Sequence, residues 1–386
     1  MSRLLSAALA FGLAAVAVIA APAQAATLTP VTGFGSNPGN LSMYSYRPDG
    51  LSAGRPLVVL LHGCTQDATG YFTNSGWRKF ADLWGFQLLL PQQSTANQSN
   101  KCFTWYDNAD INRGQGEALS IRNMISYAVS NLGADANRVY VSGLSAGGAM
   151  SAVMLATYPD VFKAGSIGAG IAYKCATSLT QTTSCQYTGV DKTPQQWGDL
   201  VRAQASGPYP RVAIWQGTSD STVVPRNATE LMEQWTNVRG VSQTPTSTGT
   251  WLKVYGNNDV RLWEIPGMAH GLPVDPGSGA EQCGTAAAYF LDYICSAYHD
   301  AVFFGLSTGT PPPTSSPSPS PSPTSSPTTP PVCVTASNYA HVVAGRAYHS
   351  LGYVYANGSN QNMGLYNTFY TTALKQTGPN YWVIGC

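Results

Sequence analysis

The chain has 386 residues, enough for a large domain and a smaller companion. Its formal net charge is +1, from 20 Lys and Arg against 19 Asp and Glu, so neither nucleic acid nor an acidic surface is expected as a partner. Charged residues make up only 10% of it, against roughly 25% in average globular proteins, which suits an exported protein that meets a neutral surface.

Residues 1–25 read as an export signal. Arg3 gives a positive start, an apolar, Ala-rich stretch follows, and Ala23-Gln24-Ala25 has the small-x-small cleavage pattern. No basic stop-transfer flank comes after it, and no later stretch is long and apolar enough to span a bilayer, so no membrane partner is expected. The expected location is extracellular. Eight cysteines in such a chain should be paired. Proximity points to Cys175 with Cys185, Cys283 with Cys295 and Cys333 with Cys386, leaving Cys64 with Cys102. No Cys or His pair has structural-zinc spacing, so neither metal nor cofactor is expected.

After the leader, 41–47 reads as an early strand. The run Pro56-Leu57-Val58-Val59-Leu60-Leu61 is continuously apolar, as expected of a strand buried on both faces of a parallel sheet. It ends in His62-Gly63-Cys64. A helix is predicted over 75–84, a second buried strand over 86–90 and a helix over 117–131, where apolar residues recur at helical spacing. Val139-Tyr140-Val141 leads into Gly143-Leu144-Ser145-Ala146-Gly147-Gly148 and a helix-forming stretch, 149–158. Strands are predicted at 164–171, 212–216, 251–255 and 261–265, with helices at 228–238 and 286–298. Strands alternating with helices imply an open, mostly parallel α/β sheet with helices on both faces.

Gly143-Leu144-Ser145-Ala146-Gly147 matches the G-x-S-x-G pattern of a nucleophile elbow. A serine hydroxyl is a poor nucleophile without a base to take its proton and donors to hold the resulting oxyanion. The pattern alone is also met by any glycine-rich turn; a buried-type strand before it and a helix after it strengthen the reading. The partners must come later, in the order acid, then histidine. Asp220 lies in a loop just past the 212–216 strand, where an orienting acid belongs, although Asp also forms turns there. Asp191 and Asp259 follow no comparable strand. Of the five histidines, His341 and His349 lie beyond a tether, His299 ends the last predicted helix as a cap or exposed residue, and His62 precedes Ser145. His270, loop-borne after 261–265, is left as the base.

The oxyanion donors are expected to be the amide of Ala146, next after the nucleophile, and that of Cys64, in the loop after the early strand. A Cys64–Cys102 bridge would fix that loop and carry Trp105 and Tyr106 toward the mouth of the site as substrate-binding residues. Core packing is the alternative for Trp105.

From 307 to 332 the chain is almost wholly Pro, Ser and Thr, which cannot bury a core and stiffens toward polyproline II. At about 3.1 Å per residue it reaches roughly 60 Å. The segment 333–386 has no Asp or Glu but many aromatic residues, among them Tyr348, Tyr353, Tyr355 and Phe369. Some must fill a small core, while the rest supply surface contact area at little entropic loss. The expected domains are therefore a signal peptide (1–25), a catalytic domain (26–306), a linker (307–332) and a polymer-binding module (333–386).

Taken together, His62-Gly63-Cys64, the elbow, Gly217-Thr218-Ser219-Asp220 and Ala269-His270-Gly271 resemble the extracellular poly(3-hydroxybutyrate) depolymerase family of esterases, across nearly all of 41–299. Ala336-Ser337-Asn338-Tyr339-Ala340-His341 and Gly358-Ser359-Asn360-Gln361-Asn362-Met363-Gly364-Leu365-Tyr366 look like its short substrate-binding domain. The resemblance implies an α/β-hydrolase fold, Ser145, Asp220 and His270 as triad, the Cys64 and Ala146 amides as oxyanion hole, and aromatic side chains, Trp105 among them, beside the ester. The oxyanion loop precedes the nucleophile, unlike the circularly permuted branch, and a bare linker stands where some relatives carry a fibronectin-like module. The expected function is a secreted, monomeric serine esterase acting on an insoluble short-chain polyester surface. Feruloyl and acetylxylan esterases resemble the same catalytic family and share acyl transfer, so a plant-wall esterase is the alternative. A non-catalytic binding protein on this scaffold is disfavoured, because every triad position is chemically competent.

Overall fold

A computed structural model describes residues 27–307, 333–350, 353–378 and 381–385. The chain divides into two units, Met1–Ser316 and Pro317–Cys386. The expected leader, 1–25, the Pro/Ser/Thr segment from 308 onward and Cys386 lie outside the described residues.

The first unit opens with strands β1 (Thr29–Val31), β2 (Ser42–Tyr46) and β3 (Arg55–Leu61), followed by helices α1 (Ala68–Asn74) and α2 (Trp77–Trp84). Next come β4 (Gln87–Gln92), α3 (Gly116–Asn131), β5 (Ala134–Leu144), α4 (Ala146–Thr157) and β6 (Phe162–Gly168). Two short helices, α5 (Thr182–Tyr187) and α6 (Pro194–Arg202), precede β7 (Arg211–Gly217) and α7 (Arg226–Arg239). The unit closes with β8 (Ser247–Thr248), β9 (Leu252–Tyr255), β10 (Val260–Ile265), β11 (Leu272–Val274), β12 (Phe290–Asp292) and α8 (Ser296–Phe304).

One ten-stranded sheet, ordered β1-β2-β4-β3-β5-β6-β7-β10-β9-β8, carries this unit. The stretch from β4 to β10 is parallel throughout, with antiparallel strands at either edge. The apolar run in β3 is explained by two-sided burial: Leu57, Val59 and Leu61 enter a core with α3, α4, α6 and α7, while Val58 and Leu60 enter one with α1, α2 and α8. Every residue of α4 is buried, as expected of a helix apolar all round. This is the α/β-hydrolase arrangement, and its strand ends place the site described below.

The helix expected over 75–84 is α2, which begins two residues later, at Trp77, after Gly76 at φ 83°. A Cβ at Gly76 would lie 2.4 Å from the Cys283 Sγ, so only glycine fits. The helix expected over 286–298 is corrected: a turn leads into β12, which pairs with β11, and the Cys283–Cys295 disulfide closes the segment. The last helix starts at Ser296. His299 therefore lies within α8 rather than at its end, half-buried, with its ring 4.8 Å from that of Trp263. Burial pushes its pKa down to about 4. The bridges Cys64–Cys102, Cys175–Cys185 and Cys283–Cys295 are formed, and Cys333 is also disulfide-bonded.

The second unit comprises β13 (Cys333–Ser337), α9 (Asn338–Val343), β14 (Ala347–Ser350), β15 (Tyr353–Ala356), β16 (Asn362–Leu365), β17 (Thr371–Gly378) and β18 (Tyr381–Ile384). They form two three-stranded sheets, β13-β17-β18 and β14-β15-β16. Ala347, Val354, Ala356, Met363, Leu374 and Trp382 are its core. Two polar residues of its motif are internal pins. Asn338 donates to the Met363 and Leu365 carbonyls and accepts from Thr372 Oγ1. His341 lies 2.8 Å from the Thr372 carbonyl and accepts from Arg346 Nε.

Candidate active site

Ser145 sits between β5 and α4 at φ 58°, ψ −120°, a conformation that L-residues rarely hold without a reason. Its surroundings enforce it. The Ser145 N–H donates to the Gly168 carbonyl at 2.8 Å, and the Ala149 N–H donates back to the Ser145 carbonyl at 2.8 Å. Glycines make room: a Cβ on Gly143 would come 2.2 Å from the Gly147 carbonyl oxygen, and one on Gly148 2.5 Å from that of Gly168. The hydroxyl is thereby held at the helix N-terminus, half-buried.

Asp220 follows β7, and His270 lies in the loop after β10. These loops are locked together: Ser219 N–H donates to the Met268 carbonyl at 3.0 Å and Gly267 N–H to Thr218 Oγ1 at 2.9 Å. Gly217 is required here, since a Cβ would lie 2.2 Å from the Met268 carbonyl oxygen. His270 Nε2 is 2.9 Å from Ser145 Oγ, and its Nδ1 is 2.7 Å from Asp220 Oδ2. With Nδ1–H donated to the carboxylate, Nε2 is the acceptor for the serine proton. The other Asp220 oxygen accepts from the Thr222 and Val223 N–H groups at 2.8 and 2.9 Å. The carboxylate is only 3% exposed, so both of its oxygens are tied down. Asp191 and Asp259 are elsewhere, held by Arg226 and Arg239.

The loop after β3 meets the same serine. A Cβ on Gly63 would be 3.5 Å from Ser145 Cβ, and one on Gly147 would be 2.1 Å from the Leu61 carbonyl oxygen. Cys64 is bridged to Cys102. Among the described residues, neither Cys64 N–H nor Ala146 N–H has a hydrogen-bond acceptor, and Ala146, as the first residue of α4, has none within its helix. Two unspent donors thus adjoin the serine, one on the next residue of the chain and one on the residue after Gly63.

Sequence reasoning missed what holds this loop. His62 is buried, with Nδ1–H donated to the Gly63 carbonyl at 2.8 Å and Nε2 accepting from Gln93 N–H at 3.0 Å. Burial pushes its pKa down to about 4, so the ring stays neutral. Gln66 Oε1 accepts from Gly63 N–H at 2.8 Å. The only sequence signal was His62 itself, adjacent to the loop it shapes. Trp105 is 5% exposed and belongs to the main core, with its ring edge-on to that of half-buried Tyr106 at 5.5 Å.

A serine hydroxyl in reach of an imidazole that a buried carboxylate holds, with two unspent amides nearby, is an arrangement that can carry out acyl transfer. A family model described as "Esterase PHB depolymerase" matches residues 41–250, more than half of the chain. Poly(3-hydroxyalkanoate) depolymerase C of Paucimonas lemoignei is 52% identical over 291 residues, covering 72% of this chain and 70% of that protein. An acetylxylan esterase of Coprinopsis cinerea is 41% identical over 264 residues, covering 64% of this chain and 70% of that one. The solved acetyl xylan esterase from Aspergillus awamori superposes with a TM-score of 0.63 at 28% identity, over 72% of this chain and 99% of that one. Sheet order, elbow and sequence match converge, and the chain is a carboxylic ester hydrolase belonging to the esterase PHB depolymerase family.

Proposed function

We propose that the protein is a secreted serine esterase that hydrolyses an insoluble short-chain polyester, poly(3-hydroxybutyrate) or a similar polyhydroxyalkanoate. The observation that carries the substrate is the 52% identity to a poly(3-hydroxyalkanoate) depolymerase. The apparatus for the chemistry is Ser145, His270 and Asp220 in one hydrogen-bonded chain.

Ser145 Oγ attacks the ester carbonyl as His270 Nε2 takes its proton, and Asp220 stabilises the imidazolium. The amides of Cys64 and Ala146 hold the oxyanion. Nε2–H then protonates the leaving alkoxide and the alcohol departs. Water attacks the acyl-enzyme, gives its proton to His270, and the acid product and Ser145 are released. Half-buried Tyr106 and the core residue Trp105, on the segment that the Cys64–Cys102 bridge ties to the loop after β3, are assigned to substrate binding.

Residues 26–306 are the catalytic domain, 307–332 the tether and 333–386 the module that seats on polymer. A face of the β14-β15-β16 sheet supports that role. Tyr348 and Tyr355 are cross-strand partners with rings stacked at 5.5 Å, and Tyr353 is paired to Leu365. Tyr348, Tyr353 and Leu365 are exposed, whereas the alternate residues Val354 and Ala356 are buried. Phe369 adds a ring that is 89% exposed. A tethered binding face raises the local concentration of the catalytic unit at a solid. Three disulfides and the sequence of 1–25 support export. The protein is assigned as a monomer without nucleic-acid or membrane partners.

The second reading, an acetylxylan or feruloyl esterase, is favoured by the 41% identity to an acetylxylan esterase. Release of 3-hydroxybutyrate from granules, measured beside acetate and ferulate release from acetylated and feruloylated xylan, separates the two. Faster 3-hydroxybutyrate release is expected; release of acetate or ferulate alone would overturn the polyester reading. Ser145→Ala should abolish hydrolysis and leave granule adsorption intact, and surviving turnover would overturn the mechanism.

A further inference from the structure

Tyr289 stands on a turn in which Ala287 and Phe290 exchange backbone hydrogen bonds at 3.0 Å each. Its φ is 66°, an outlier for an aromatic residue, and such positions persist only where the surroundings over-determine them. They do so here. Phe290 is buried with its ring 5.6 Å from that of Tyr71, and it pairs with Leu272 across β11 and β12. Leu272 N–H donates to the Tyr289 carbonyl at 2.9 Å. A Cβ on Gly271, the residue next to the base, would lie 2.9 Å from that same carbonyl oxygen. The turn is fastened to the histidine loop.

The side chain delivered by this turn is not spent on the core. Tyr289 is 43% exposed, and among the described residues nothing hydrogen-bonds its hydroxyl. Its ring lies edge-to-face with the imidazole of His270, centroids 6.0 Å apart at 72°. A strained backbone that sets a large amphipathic ring beside the base, open to solvent, suits a ligand contact.

We propose that Tyr289 is a specificity-determining residue that contacts the alcohol part of the ester. The inference rests on the serine-esterase reading above. His270 must pass its proton to the leaving oxygen, so the alcohol part lies within reach of the imidazole, and the Tyr289 ring is the wall beside it. In a polyester that part is the next hydroxyacyl unit, with an apolar side group for the ring and a carbonyl that accepts from the phenol O–H.

The test compares two soluble esters with one acyl group and different alcohols: ethyl 3-hydroxybutyrate and the linear 3-hydroxybutyrate dimer. Tyr289→Ala and Tyr289→Gly should lower kcat/KM for the dimer about tenfold more than for the ethyl ester, chiefly through KM. Tyr289→Phe should fall between them and wild type, having lost only the hydroxyl. Glycine tolerates the turn's φ, so the Gly variant should melt above the Ala variant while showing the same selectivity change. An unchanged ratio between the two esters in both the Ala and Gly variants would overturn the proposal. If Ser145→Ala is inactive in that same series, the failure belongs to Tyr289 alone; an active Ser145→Ala would instead overturn the underlying mechanism.

Discussion

Gly147 and Leu61 touch backbone to backbone, so that a Cβ added to the glycine would stand 2.1 Å from the Leu61 carbonyl oxygen. The first turn of α4 thus rides on the end of β3, and the two expected oxyanion donors, Ala146 and Cys64, hang from these two elements. Gly147→Ala forces them apart. A fall in kcat of about 100-fold is expected, the scale of losing one oxyanion donor, with a stability loss of roughly 1–3 kcal/mol from overpacking. Steady-state hydrolysis of p-nitrophenyl butyrate and urea unfolding check the two parts.

Asp220→Asn keeps the size of the side chain but removes its charge. Backbone N–H groups of Thr222 and Val223 already occupy one oxygen position, which directs the asparagine NH2 at His270 Nδ1. The imidazole must then present Nε2–H to Ser145, the wrong tautomer. By analogy with serine proteases, kcat should fall by about 10,000-fold, with recovery as pH rises. A pH–rate profile of the variant is the measurement.

Replacing Cys64 and Cys102 together by alanine removes a bridge that spans 38 residues. Chain entropy alone predicts a loss of roughly 4 kcal/mol for a loop of this length. His62 and Gln66 still hold Gly63, so the loop should be loosened rather than lost and kcat should fall less than for Gly147→Ala. Calorimetric melting and ester hydrolysis report both effects; a melting point equal to wild type would contradict the first.

His299→Phe keeps the ring against Trp263 and removes a proton acceptor. Burial holds the folded His299 pKa near 4, below the ordinary 6.5. An unfolded chain therefore binds a proton that the folded one refuses, and stability is lost as pH falls from about 6.5 toward 4. The phenylalanine variant lacks this loss. Its stability relative to wild type should rise by up to about 1.4 kcal/mol per pH unit across that window. Denaturant titrations at pH 7, 5.5 and 4.5 supply the comparison.

The centre of the sheet was legible because its strands are apolar on both faces: β3, β5 and β7 follow from runs that no amphipathic helix would carry. Ser145, Asp220 and His270 were legible for a related reason, since each follows a buried strand and histidine is scarce. What failed was non-local. The 286–298 stretch reads as helix-forming, but the Cys283–Cys295 bridge closes it and the pairing of β12 with β11 makes 290–292 a strand. The helix expected from 75 starts only at Trp77, because Gly76 packs against Cys283, some two hundred residues away. His299 looked peripheral because that helix was placed too early. One local signal was overlooked: Thr193-Pro194-Gln195-Gln196 is a capping box with proline in its first turn, and it starts α6.

The site is mounted on one rim. Cys64, Ser145, Asp220 and His270 each follow the C-terminal end of a parallel strand, and the connections entering those strands leave from the far side of the sheet. Substrate preference can therefore be rewritten by exchanging rim loops, as at Tyr289, while strand pairing stays untouched. Immobilisation tags or fusion partners belong on the opposite rim, where an attachment leaves the reacting edge free to meet a solid.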